Sequence, residues 1–395
     1  MSSERTPIDN EPVRYGMVGG GEGAFIGAVH RIAAGIDGKM QLVCGAFSSS
    51  PEKSQQTGRE LFLPSGRVYG SYLEMFEKEA ALPEGERMDI VSIVTPNHMH
   101  FPVTMAALEN GFHVICDKPV TMSLDEAVKL RDKISETGLE FCLTHTYTGY
   151  PMVKHAHELV ENGEIGDIVK VVSEYPQGWL MKRLELEEGQ KQAAWRTDPK
   201  MAGISCCMGD LGCHAENLAE YITGLHITDI CADLTSYMPG RQLDDDGNVL
   251  VRFSNGAKGI IYASQISVGE ENNLNIRVYG TKGGLEWHQQ DPNTLIVKHI
   301  DRPTEIVRTN YIGLGEAAAY NTRFPAGHPE GYVEAFANHY KNFAEVVAAR
   351  MEGREPDVYA TDYPGIEDGI RGMAFIEGCV ASSKSAEKWY KLPQP

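Results

Sequence analysis

Apolar positions in the first third of the chain come as short runs, at 15–18, 40–47, 90–95, 113–117 and 140–144. Between them, stretches such as 101–110 and 124–137 repeat apolar residues every three or four positions, the spacing of a helix. Ser123 stands where a helix N-cap belongs, and Glu126 three residues on completes a capping box. Gly111 and Gly138 fall at C-terminal stops. Strands alternating with helices at this pitch predict a parallel, doubly wound sheet.

After Pro151 the pattern changes. A helix over 152–162, closed by Gly163, is followed by strand-like segments at 168–175, 230–238, 249–253, 257–265, 275–279, 284–287 and 295–299. Strands in succession predict a large open, mainly antiparallel sheet, with a hairpin turning on Asn255-Gly256. Long helices cover 332–352 and 365–383, and no internal repeat is visible. The expectation is an α/β chain of two domains, 1–148 and 149–395, divided at Thr148-Gly149-Tyr150-Pro151.

The first apolar run leads directly into Gly19-Gly20-Gly21-Glu22-Gly23-Ala24 and then Phe25-Ile26-Gly27. Gly19, Gly21 and Ala24 fit G-x-G-x-x-[G/A], in which the first glycine makes a tight turn and the second lets backbone approach a pyrophosphate. The third small residue lets helix pack on strand. Gly19, Gly21, Glu22, Gly23, Ala24, Phe25 and Ile26 are therefore cofactor-site candidates. The second strand ends at Phe47-Ser48-Ser49-Ser50 with neither an acid to grip ribose hydroxyls nor an arginine for a 2′-phosphate. Ser48 and Ser49 stand at that position, and NAD is favoured over NADP.

Composition narrows the partners. A formal net charge of −19 argues against nucleic acid and anionic membranes, which need basic patches. No apolar run approaches the length of a membrane span, and residues 1–10 lack the apolar core of a signal peptide. The expected location is cytoplasmic. Of the eight cysteines, Cys44, Cys116 and Cys142 sit in apolar strands as reduced thiols. Cys206, Cys207 and Cys213 lie near His214, but not with the spacing of structural zinc, so no metal is expected.

Three more clusters carry candidate chemistry. Thr95-Pro96-Asn97-His98-Met99-His100 follows the third strand, where a cofactor ribose lies in open α/β sheets; an ordinary turn capped by Asn97 is the alternative. Asp117-Lys118-Pro119 follows the fourth strand, and a lysine there can bond a substrate hydroxyl or remain a solvated turn residue. Asp210 and His214 stand four apart, one helical face, as an acid/base pair or as a structural cap beside a surface histidine.

Taken in order, the glycine turn, T-P-N-x-x-H, D-K-P and D-x-G-x-H resemble the Gfo/Idh/MocA oxidoreductase family, over almost the whole chain. The resemblance implies a Rossmann domain joined to an α/β domain with an open antiparallel sheet, commonly assembled as homodimers or homotetramers. It implies cofactor contacts at Thr95, Pro96, Asn97, His100, Asp117 and Lys118. It also implies Lys118, Asp210 and His214 as catalytic residues, with His214 as acid/base, Lys118 assisting and Asp210 orienting. Departures are Phe25-Ile26-Gly27, read as an insertion before the first helix, Ser205-Cys206-Cys207 in place of a glycine-rich approach, and Asn217 where many relatives have Asp.

Family substrates are sugars and cyclitols. His145, Tyr147, Tyr150, Trp179, Lys182, Arg183, Lys191, Trp195, Arg196 and His328 are candidate pocket residues. The local basic excess among them predicts a sugar bearing a sulfonate, carboxylate or phosphate. The leading expectation is hydride transfer between NAD(P) and a hydroxyl of a sugar, glycoside or cyclitol. A redox glycosidase, working by transient C3 oxidation, elimination, water addition and re-reduction, uses the same residues. A non-catalytic cofactor-binding regulator is the third reading.

Overall fold

The computed structural model describes residues 11–394, so the reading of residues 1–10 lies outside it. The first sheet has five parallel strands, β1 (Val13–Gly19), β2 (Met40–Ala46), β3 (Ile90–Val94), β4 (His113–Cys116) and β5 (Phe141–Leu143), in the order β2-β1-β3-β4-β5. Every residue of β3 and β4 is buried, as expected for parallel strands covered on both faces. Helices α1 (Phe25–Ile36), α2 (Pro51–Glu60), α3 (Tyr72–Ala80), α4 (His100–Glu109) and α5 (Leu124–Thr137) make the crossovers.

Ser123 caps α5 by accepting from the Glu126 N–H, and Gly138 closes it in the left-handed conformation. The box is displaced by one residue, however: Glu126 accepts from the N–H of Met122, not of Ser123. Phe25, Ile26 and Gly27, expected ahead of the first helix, are instead the first three residues of α1. Gly27 makes the close contact between the helix and the glycine turn. A Cβ on Gly27 would lie 2.3 Å from Gly20 Cα.

The second sheet holds β6 (Ile168–Pro176), β7 (Ile227–Thr235), β8 (Asp246–Phe253), β9 (Lys258–Ser264), β10 (Asn275–Gly280), β11 (Gly283–His288), β12 (Thr294–His299), β13 (Glu305–Arg308) and β14 (Tyr390–Lys391). Their order is β13-β12-β11-β10-β6-β9-β8-β7-β14, antiparallel except for the β6–β9 pair. The β8–β9 hairpin turns at Gly256, whose φ of 89° only glycine adopts easily. Helices α6 (Pro151–Glu161), α7 (Lys191–Arg196), α8 (Pro199–Ala202), α9 (Cys213–Thr223), α10 (Glu316–Tyr320), α11 (Tyr332–Glu352) and α12 (Ile366–Lys384) complete the chain.

Two of these return to the first sheet. Phe336, Tyr340 and Phe343 of α11 pack with Tyr15 and Ile90, and Ile370, Met373 and Ile376 of α12 pack with Val120 and Leu130. The two sheets are thereby clamped around a shared crevice. All eight cysteines are free thiols, and no helix among the described residues is long and apolar enough to cross a membrane.

Candidate active site

A cavity of about 1010 Å³ occupies that crevice, outside the carboxyl ends of β1, β3 and β4. At one end lies the glycine turn. A Cβ on Gly19 would meet the Val94 carbonyl at 2.9 Å and one on Gly21 the Phe47 carbonyl at 2.6 Å, so only bare backbone fits. Helix α1 starts at Phe25 with no side-chain cap and no acid in its first turn. Its first amides and the positive end of its dipole therefore face the cavity free to meet an anion. This cradle fits a dinucleotide's diphosphate.

The other end is built on β4 and α9. Lys118, beyond β4, donates from Nζ to Asp210 O at 2.7 Å and Oδ1 at 2.9 Å. Arg196 Nε and Gln265 Nε2 each donate to Asp210 Oδ2 at 3.0 Å. Asp210 sits in a wide turn, Met208–Gly212, in which the Cys213 N–H reaches back to the Met208 carbonyl. Such wide turns recur at functional sites because they re-aim side chains. Asp210 and His214 both face the cavity across it. Ser205 and Asp244 stand in for the missing glycine-rich approach: the Ser205 hydroxyl accepts from the Met208 and Gly209 amides, and the Asp244 carboxylate accepts from Cys206 and Met208. Asn217 donates to Asp368 at 3.3 Å, where an aspartate would repel.

Burial alone would raise the Asp210 carboxyl, but Arg196 and Lys118 outweigh it and hold it well below the usual range. Burial likewise disfavours the Lys118 ammonium, yet Asp210 outweighs it and the net shift is upward. These two form an ion pair. His214 is driven well below its ordinary value by burial, then by Lys118 and His145, so its ring is neutral at pH 7. Its Nδ1 lies 3.4 Å from Nδ1 of His145, which burial pushes down to about 3. That contact leaves Nε2 of His214 for a ligand.

Between the two ends the wall is polar and aromatic. Tyr147 and Tyr175 share a hydroxyl–hydroxyl bond, and Tyr175 and Gln177 both donate to Asn272 Oδ1 at 2.6 Å. Trp179 donates to Gln265, and the Arg196 guanidinium lies 4.3 Å from the Trp195 ring centroid.

Of the residues expected from sequence, Glu22, Gly23, Ala24, Phe25, Ile26, Thr95, Pro96, Asn97, Asp117, Lys118, Tyr147, Trp179, Lys191, Trp195, Arg196, Asp210 and His214 line this one cavity. Asn97 is not a cap: its amide donates across to Ala202 O at 3.0 Å. Gly19 and Gly21 shape the turn behind the wall. Ser48 and Ser49 lie at the end of β2 off the wall, where the Ser48 hydroxyl accepts from Ser50.

The structure moves others away. His100 is buried behind the wall, its ring nitrogens 2.6 Å from Pro119 O and 2.9 Å from Thr95 O, so it ties two strand-end turns together. His145 backs His214 instead of lining the pocket. Tyr150 is buried against Trp287. Lys182 and Arg183 are exposed outside the cavity, Arg183 beside Glu185 at 3.7 Å, and His328 is exposed in its own loop. The basic excess predicted over the pocket is thus dispersed: Arg196 is bound to Asp210, and Lys191 lies at the glycine end. Tyr175, Gln177, Gln265 and Asn272 join the site without any sequence motif to mark them.

Comparison with known proteins agrees. Residues 13–145 match the oxidoreductase family with an NAD-binding Rossmann fold, and residues 153–286 match the GFO/IDH/MocA C-terminal domain. The uncharacterized oxidoreductase YfiI of Bacillus subtilis (strain 168) is 34% identical, with 99% of each chain covered. The structure of an oxidoreductase from Sinorhizobium meliloti superposes with a TM-score of 0.87 at 45% identity, covering 97% of this chain and 100% of that one. That of an inositol dehydrogenase homolog complexed with NAD+ from Azotobacter vinelandii gives 0.91 at 32% identity, covering 99% and 100%. A second structure of that homolog holds NADH and myo-inositol. Fold and site define an NAD(P)-binding oxidoreductase. The chain belongs to the Gfo/Idh/MocA family.

Proposed function

We propose that the enzyme is a nicotinamide-dependent dehydrogenase for a secondary hydroxyl of a neutral polyol, a cyclitol or a sugar. The observation that carries this is the convergence of Lys118 and a neutral His214 around Asp210, on the same wall as the glycine cradle. Bound nicotinamide supplies the hydride acceptor. Nε2 of His214, uncharged and buried, takes the hydroxyl proton as the carbinol is oxidised. Lys118 has three N–H donors and spends two on Asp210, which leaves the third for the oxygen that becomes a carbonyl. Asp210 holds that ammonium in place, and Arg196 and Gln265 hold Asp210.

A neutral substrate is supported by the lining, which among the described residues offers partners for hydroxyls and no cation free of a carboxylate at this end. Tyr147, Tyr175, Gln177 and Asn272 offer donors and acceptors to hydroxyls, and Trp179 offers a ring to stack on. The inositol dehydrogenase homolog supports a cyclitol.

The test is incubation with NAD+ and a panel of inositols, aldoses and aryl glycosides, following NADH absorbance and aglycone release together. Stoichiometric NADH without release is the expected result. Release without net NADH assigns the redox glycosidase, and silence on every polyol assigns the regulator.

A further inference from the structure

Three cations line the cavity wall, and they are not alike. Lys118 and Arg196 are paired with Asp210. Lys191 has no carboxylate within ion-pair distance among the described residues, although the chain carries 55 acidic residues against 36 basic ones. Its tip instead rests on the glycine turn: a Cβ built on Gly23 would lie 3.1 Å from Lys191 Nζ and 4.0 Å from its Cε.

Gly23 immediately precedes Ala24, the residue that enters α1, and both line the cavity with Lys191. The amides and dipole of α1 offer only partial positive charge, about half an elementary charge, while a dinucleotide's diphosphate carries two negative charges. We infer that Lys191 supplies the missing cation, reaching from the second domain to the diphosphate of the cofactor held on the first. The inference rests on dinucleotide binding and is independent of which polyol is oxidised. It also gives α7 a two-ended role. Lys191 at its start faces the diphosphate, and Arg196 at its end holds the carboxylate that positions Lys118.

The chemistry that Lys191 recognises, a phosphate or similar oxyanion, could belong to cofactor or to substrate, and binding to the whole protein separates the two. Dissociation constants for NAD+, ADP-ribose and adenosine are measured by tryptophan fluorescence for wild type, Lys191→Met and Lys191→Arg. Lys191→Met is expected to weaken NAD+ and ADP-ribose at least tenfold, as for loss of a charge-assisted bond, with adenosine within about twofold. The salt dependence of NAD+ binding becomes shallower by about one charge, and Lys191→Arg recovers most of the affinity. Wild-type affinity for NAD+ in Lys191→Met overturns the proposal. So does an equal loss for adenosine, which marks a structural role, or a loss confined to the KM of anionic sugars, which assigns Lys191 to substrate.

Discussion

The two ends of the cavity are built on opposite principles. At the Asp210 end the cations are already engaged before any ligand arrives, with Lys118, Arg196 and Gln265 all bonded to one carboxylate. At the glycine end, amides at the head of α1 have no side-chain cap, and Lys191 has no carboxylate beside it. The difference follows from the tasks. Proton transfer needs groups already oriented, because reorganising them during reaction raises the barrier. A diphosphate brings its own charge and is held best where donors are left for it.

If the ends are independent, breaking one spares the other. The largest effect is expected from Lys118→Met, which should cost about 10³-fold in kcat while NAD+ affinity stays within about twofold. A matching loss of NAD+ affinity would show that the ends are coupled through the ammonium. Asp210→Asn should cost less, about 10²-fold, but should change the pH profile. In the wild type, the Asp210 carboxylate outweighs burial and keeps Lys118 protonated above its ordinary value. Without that charge, burial is opposed only by weaker neighbours such as Asp117, and the lysine pKa falls. Activity of the variant is then lost as pH rises, at a lower pH than in wild type. An unmoved basic limb would remove Lys118 from the reacting groups. Gly21→Ala attacks the opposite end. Its Cβ would sit 2.6 Å from Phe47 O, a carbonyl that also accepts from the Gly21 amide, so the turn must move. NAD+ affinity is expected to fall tenfold to a hundredfold, from about 1–3 kcal/mol of overpacking, with kcat at saturating NAD+ nearly unchanged.

The sequence exposes these ends unequally, for physical reasons. The glycine turn, Lys118, Asp210 and His214 are legible because each follows a strand end or opens a helix within a local motif. Gln265 and Gln177 are not. They approach Asp210 and Asn272 only because β6 and β9 pair in parallel across a long insertion, which no local periodicity encodes. Elements hide in the same way. α2 buries Ser54, Thr57 and Gly58, so it carries no apolar stripe to read. β13 is an exposed edge in which only Val307 is half-buried, so it shows no alternation. Helices with conventional stripes and stops, α5 and α11, fall where the periodicity predicts them.

Lys182 and Arg183 lie outside both ends of the cavity. As sequence they are a basic pair beside Trp179, close enough to predict an anionic substrate. In the fold they turn to solvent, Arg183 against Glu185 and Lys182 bonded through its carbonyl to Arg241 and to the Leu184 N–H. Charges exposed to water at ordinary salt are screened over about 8 Å, so neither should be felt at the Asp210 end. The double variant Lys182→Ala with Arg183→Ala is therefore expected to leave KM for neutral and anionic polyols within about twofold of wild type. A selective rise in KM for the anionic series would mean that this segment folds over the cavity in the complex. The neutral-polyol reading, which depends on those charges staying outside, would then fail with it.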